Sequence, residues 1–234
     1  MRKALRVILY AFAVIGVLVV ALSFFAPTLP PEGARRPVPV ATAEDLVQVV
    51  KSRDIDLILA TANELNQMHT KSHLLPTVDA LWRADASSRP DWPIDVIMLP
   101  TVRLAFANVL IQSHRNGLYE ADVDAIQSYA REQLGSGDYD SVMAAMSLVA
   151  MYDDNADVTR FIALSKQESL FRPAVVYLGS MCNPEAKEAV HRLLESCDSR
   201  ECVDLRSEQL EQDKFQKRSG QCDEQRWPRQ PGGS

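Results

Sequence analysis

Four cysteines are the residues of this chain most able to do chemistry: Cys182, Cys197, Cys202 and Cys222, all within the last 53 of 234 residues. An even number of thiols in so short a stretch points to two disulfides in an oxidising compartment, with three possible pairings. A four-cysteine zinc site fits poorly, because four residues separate Cys197 from Cys202 and no second close pair exists. His69 and His73 stand four apart, which sets two imidazoles on one face of a helix. No Glu sits between them as in H-E-x-x-H, and no third ligand is evident, so they read as a helix end rather than a metal site. His114 and His191 are isolated in the sequence. Asp153, Asn155 and Asp157 fill the first three ligand positions of a calcium loop, but its sixth position is Val158 instead of Gly and its twelfth is Leu164 instead of Glu. Without the bidentate ligand, the segment reads as a turn in which Asp154 or Asn155 caps the next helix. Gly135-Ser136-Gly137 is a turn, since G-x-S-x-G is missing, and neither a P-loop nor G-x-G-x-x-G occurs. Carboxylates fall on polar helix faces, as at Glu120, Asp122 and Asp124 or Glu208, Glu211 and Asp213. A buried acid pair among them has no signature in sequence. The reading is that the chain is not an enzyme and takes no metal and no cofactor.

The elements that must carry these residues are helices. Glycine numbers only 9 of 234, which argues against a turn-rich sandwich or barrel. From Thr42 onward the apolar period is 3.6 rather than 2. Thr42 with Asp45 three residues on opens a first helix as a capping box, followed by Leu46, Val47, Val49 and Val50. Asp54 opens a second, with Ile55, Ile58, Leu59, Ala62 and Leu65 on one face. A third is expected over 73–84. Two prolines make Ser87 to Pro93 a loop. A long helix over 94–115 is expected to bend at Pro100 and to end at Asn116-Gly117. The remaining helices read as 120–134, 138–151, 156–167, 170–181, 185–196 and 200–217. Connections of 2–8 residues then force antiparallel neighbours.

This layout chooses among the cysteine pairings. Cys182 follows one helix and Cys197 ends its antiparallel partner, so a helix of about 12 residues holds them ~18 Å apart. A disulfide tolerates only ~7 Å between Cα atoms. Cys202 opens the next helix beside Cys197, and that helix of about 18 residues runs ~27 Å back toward Cys182. The expected bonds are therefore Cys197–Cys202 and Cys182–Cys222, the second clipping the tail to the last helix pair. The alternative leaves Cys182 as a small buried hydrophobe and Cys222 free.

The late helices also echo one another. Ala144, Met146, Leu148 and Met151 match Ala174, Val176, Leu178 and Met181 at an offset of 30, and Val158, Phe161 and Ile162 match Val190, Leu193 and Leu194 at 32. A period near 30 with two helices per unit is the mark of an α-solenoid. The segment FRPAVVYLGSMCNPEAKEAVHRLLES, residues 171–196, resembles a HEAT-like, armadillo-type helical repeat. It has Arg-Pro opening a small-apolar helix, Leu178-Gly179, a turn with Asn183-Pro184-Glu185-Ala186, and a second amphipathic helix. The likeness is fair over 141–166 and architectural over 43–135, and it departs in the turns and in the loop that holds Trp92. The resemblance implies a binding surface on the inner helices, not a reaction. The expected fold is all-α, a short α-solenoid of antiparallel helix pairs behind one N-terminal transmembrane helix.

That N-terminal helix is Val7 to Ala26, twenty residues without a charge. At ~1.5 Å per residue it spans the ~30 Å hydrocarbon layer. Arg2, Lys3 and Arg6 precede it, which places residues 1–6 in the cytoplasm and the body outside, periplasmic if the cell is bacterial. The competing reading is a signal peptide cleaved near Ser23 and a secreted body. Residues 27–42 hold five prolines between Pro27 and Pro39 and form an extended spacer. The helical-repeat domain spans 43–218, and 219–234 form a loose tail. Residues 43–234 carry 20 bases and 30 acids, a net charge of −10, which excludes a basic nucleic-acid face.

The functional expectation is a membrane-anchored, extracytoplasmic protein that binds another protein as a scaffold or assembly factor. The alternative is a secreted inhibitor or immunity-type protein that neutralises a toxin or hydrolase in the same compartment. Candidate partner-binding residues are Arg160, His191, Arg192 and Glu195 on second helices. Trp92 joins them, since it lies between Asp91 and Pro93 in a loop, although core packing of Trp82 and Trp92 is the plainer reading.

Overall fold

The structure, a computed structural model, describes residues 40–220 except 68, 86, 88–90 and 153, together with Cys222; of His69 and Thr70 only the backbone is described. These residues all fall in the unit Pro37–Ser234. The expected transmembrane segment 7–26, the alternative cleavage point near Ser23, most of the expected 27–42 spacer and nearly all of the 219–234 tail lie outside the described residues.

The described residues form eleven helices and no strand. In chain order they are α1 (Ala43–Lys51), α2 (Ile55–Gln67), α3 (Leu75–Arg83), α4 (Ile94–Ile97), α5 (Pro100–Arg115), α6 (Val123–Gln133), α7 (Tyr139–Ala150), α8 (Asn155–Leu164), α9 (Glu168–Ser180), α10 (Pro184–Glu195) and α11 (Arg200–Ser219). The capping box opens α1: Asp45 N donates to Thr42 Oγ1 at 3.2 Å and Thr42 N to Asp45 Oδ2 at 2.8 Å. Two of the helix's orphan donors are thereby satisfied.

Two boundaries differ from the sequence reading. A 3₁₀ turn, His69–Leu74, precedes α3, so the third α-helix begins at Leu75. The long helix of 94–115 is not bent but broken. Leu99 sits at ψ 128°, outside the helical region, and Pro100 opens α5 at its first position. Proline's ring drives the preceding residue out of the α conformation, while its missing N–H costs nothing in a first turn. The far end of α5 follows expectation, with Asn116 as its cap and Gly117 at φ +68°.

The helices pack in neighbouring pairs. α5 receives α2 and α3 on one side and α6 and α7 on the other. From there α7, α9 and α11 follow one another, while α8 and α10 pack together alongside them. Asp138 caps α7 and Asp154 caps α8; Gln167 and Asn183 stand at the equivalent places before α9 and α10, each 29 residues later. The cap positions are thus spaced by 29 residues, against the 30 and 32 of the apolar match. Burial at Ala145 and Val149 likewise recurs at Ala174 and Leu178, 29 residues later.

One hydrophobic core runs from Val40 to Leu205, with Phe106, Phe161, Leu104 and Leu178 at 1% exposure or less. Each such side chain contributes roughly 1.5–3 kcal/mol by leaving water. Trp82 belongs to this core; Arg103 lies 4.9 Å from the centroids of both the Trp82 and Tyr129 rings and donates to the Trp82 carbonyl at 3.0 Å. The guanidinium is thereby held by two aromatic faces and one carbonyl.

Both disulfides are those the helix lengths select: Cys182–Cys222 with Cα atoms 5.2 Å apart, and Cys197–Cys202 with 6.0 Å. The first depends on α11 returning along α9. Gly179 permits that close approach, because a Cβ there would stand 1.9 Å from Gln209 Oε1. Lys187 Nζ then ties three elements, donating to the Gly179 carbonyl at 2.7 Å, to Gln216 Oε1 at 2.6 Å and to Asp213 at 2.7 Å. Gly220, at φ +61°, ends α11 and turns the chain toward Cys182. The two bonds indicate an oxidising, extracytoplasmic compartment.

Candidate functional site

The candidate site is the face shared by α6 and α8. Along α6, Asp124, Gln127, Ser128, Arg131 and Glu132 recur at i, i+3, i+4, i+7 and i+8. That spacing gathers them on one face of the helix. Here α6 has two faces. Ile126 and Ala130 enter the core, and the polar stripe lines an open depression of about 470 Å³ whose opposite wall is Arg160 of α8.

Beneath the depression lies a buried carboxylate. Asp157, at 0% exposure in the first turn of α8, accepts from Arg131 Nε at 2.9 Å and from Arg131 Nη2 at 2.7 Å. Arg131 Nη2 also reaches Asp154, whose other oxygen caps α8 by accepting from Ala156 N at 2.9 Å. Arg160 Nη1 lies 3.4 Å from Asp157. Two carboxylates and two guanidiniums therefore cancel in charge, and burial makes the bidentate pair strict in geometry. The backbone donor of Ala156, with Arg131, holds the Asp154 carboxyl below the ordinary carboxylate range. The Asp157 hydrogen bonds, in turn, raise the Arg131 guanidinium above its ordinary value. Beside this cluster the Tyr152 hydroxyl is buried without a hydrogen-bond partner among the described residues, and burial pushes the phenol well above its ordinary value.

Gln127 stands out within the stripe. It is only 9% exposed, lines the depression, and makes no hydrogen bond to any described residue. Asp124 and Glu132 are exposed on either side of it and form no ion pair among the described residues.

The residues singled out in the sequence are dispersed. Arg160 enters this site. His191 and Arg192 lie on the solvent side of α10, where His191 Nε2 pairs with Glu195 at 3.1 Å and Arg192 Nε with Glu188 at 3.8 Å, all about two-thirds exposed. No hydrogen bond or ion pair joins them to Arg160 among the described residues. Trp92 is half-buried and packs against the core. Its loop is fastened to the turn between α1 and α2 by Lys51–Asp91 at 3.6 Å and Arg53–Asp95 at 3.0 Å. His73 Nε2 faces the Ala41 carbonyl at 2.9 Å. Of the calcium-like triplet, Asp153 lies outside the described residues, Asp157 is taken by Arg131, and Asn155 accepts from Asn183. The helix cap of that turn is Asp154. Among the described residues no three of His, Cys, Asp and Glu stand where they can share a metal ion, and no helix is long and apolar enough to cross a membrane.

Sequence reasoning missed Arg131, Asp157 and Gln127. Comparison with protein-family models, with curated proteins and with solved structures finds no match to the chain.

Proposed function

We propose that this is a membrane-anchored, extracytoplasmic protein of HEAT-like helical-repeat type that binds another protein as a scaffold or assembly factor. The observation that carries the reading is the α6–α8 face, where a regular helical stripe is polar, concave and backed by a buried ion pair to α8. A concave polar face of this kind suits a protein partner, whose polar groups it can pair. Stacked helix pairs suit such work, because their side-by-side packing leaves long lateral faces free. The uncharged run 7–26 supplies the anchor and the prolines of 27–39 the spacer.

The test is purification of the C-terminally tagged full chain from native membranes without reducing agent, read by mass spectrometry. The reading expects one protein at fixed stoichiometry, with residues 7–26 retained. A soluble form cleaved near Ser23 and bound to one basic secreted protein would favour the inhibitor reading instead. A full-length chain that emerges alone overturns both.

A further inference from the structure

We infer that the α6–α8 depression binds an extended peptide segment carrying two basic side chains four residues apart. The inference rests on the protein-binding reading above and deepens it by naming the site and the partner's chemistry. The first observation is Gln127. The side chain is nine-tenths buried and has no hydrogen-bond partner among the described residues, so its one acceptor and two donors are left for whatever occupies the depression. An amide is complementary to a peptide group, giving N–H to its carbonyl and C=O to its N–H. An amide facing an open polar depression therefore suits the backbone of an extended chain.

The second observation is charge. Arg131 spends its donors on Asp157 and Asp154, and Arg160 is held toward Asp157, so the cationic side of the site is internally neutralised. What remains is Asp124 and Glu132, exposed and without ion pairs among the described residues. An anion meets net negative charge here, and a cationic segment meets its complement.

Spacing fixes the register. Eight residues of α6 separate Asp124 from Glu132, or ~12 Å along the axis. An extended chain advances ~3.3 Å per residue, so side chains four apart lie ~13 Å apart and on the same face. Two lysines or arginines at that spacing reach both carboxylates, with the intervening backbone passing over Gln127.

Fluorescence anisotropy on the full chain in detergent micelles tests this. The probe is a fluorescein-labelled peptide, Gly-Ser-Lys-Ser-Thr-Ser-Lys-Ser-Gly, with its Lys-to-Glu counterpart as control. The lysine peptide should bind and the glutamate peptide should not. Gln127→Ala should weaken binding about tenfold, and the pair Asp124→Asn with Glu132→Gln about fivefold. Gln127→Ala should lower the melting temperature only slightly, because Gln127 loses packing but no hydrogen bond to a described residue. Equal binding of both peptides, binding of neither, or lysine-peptide binding unaltered by Gln127→Ala overturns the inference. If the purified partner is retained in full by Gln127→Ala, the groove assignment fails while the protein-binding reading stands. If no protein is recovered even by the unaltered chain, the reading itself fails.

Discussion

The Arg131–Asp157 pair offers the sharpest energetic prediction, because its two members are buried unequally. Asp157 is at 0% side-chain exposure and Arg131 at 24%. Arg131→Met strips the buried carboxylate of three hydrogen bonds from Arg131, leaving it, among the described residues, the Arg160 side chain at 3.4 Å. Removing one partner of a buried pair costs about 3–5 kcal/mol, and this substitution should fall in that range. Asp157→Asn leaves a less buried guanidinium that still holds Asp154, so its cost should be lower, about 1.5–3 kcal/mol. The double variant Arg131→Met with Asp157→Leu removes both charges together. It should be more stable than Arg131→Met alone and far from the sum of the single costs. The assay is urea unfolding of the disulfide-bonded chain at neutral pH, comparing midpoints at constant slope. Equal costs for the two single variants, or simple additivity in the double, would refute the reasoning that burial of Asp157 governs this cluster.

Further outcomes follow from the same geometry. Loop-closure entropy for separations of 40 and 5 residues gives ~4 kcal/mol for Cys182–Cys222 and ~2 kcal/mol for Cys197–Cys202. Replacing the first pair by alanine should therefore lower the urea midpoint more than replacing the second. Gly179→Ala should cost about 1–3 kcal/mol by driving a Cβ into Gln209, and adding Gln209→Ala should recover most of it. The carboxyl of Asp154 is held below its ordinary 3.8, so the stability it contributes is present above that pH and is lost as pH falls below it. Asp154→Asn should accordingly flatten the acid limb of a stability-against-pH curve and leave its neutral shape alone.

Local features were legible in the sequence and long-range ones were not. The Thr42–Asp45 capping box, the Asn116-Gly117 stop and the helix order all rest on neighbours within four residues, and the structure repeats them. The disulfide pairing was legible too, because helix length alone separates the cysteines into two ends. The break at Leu99–Pro100 was half-legible: proline marks the place, but a helix that kinks there and one that restarts there read alike until the preceding residue's ψ is known. Asp157 reads in the sequence as part of a calcium-like triplet in a capping turn, since its partner Arg131 lies 26 residues away on another helix and nothing local marks it. Asp124 was read as one of a polar face, which it is, but the face turns out to be concave. Gln127 carries no sequence signal, because an unpartnered amide differs from a paired one only in its surroundings.

The measurement that bears most directly on protein binding is site-specific photo-crosslinking in native membranes. A photoreactive side chain would replace Ser128, exposed in the α6–α8 depression, with parallel chains carrying it at Arg160 and at His191. The account predicts one light-dependent protein adduct from Ser128 and Arg160, reduced when Gln127→Ala is added. Absence of any protein adduct from all three positions would contradict it.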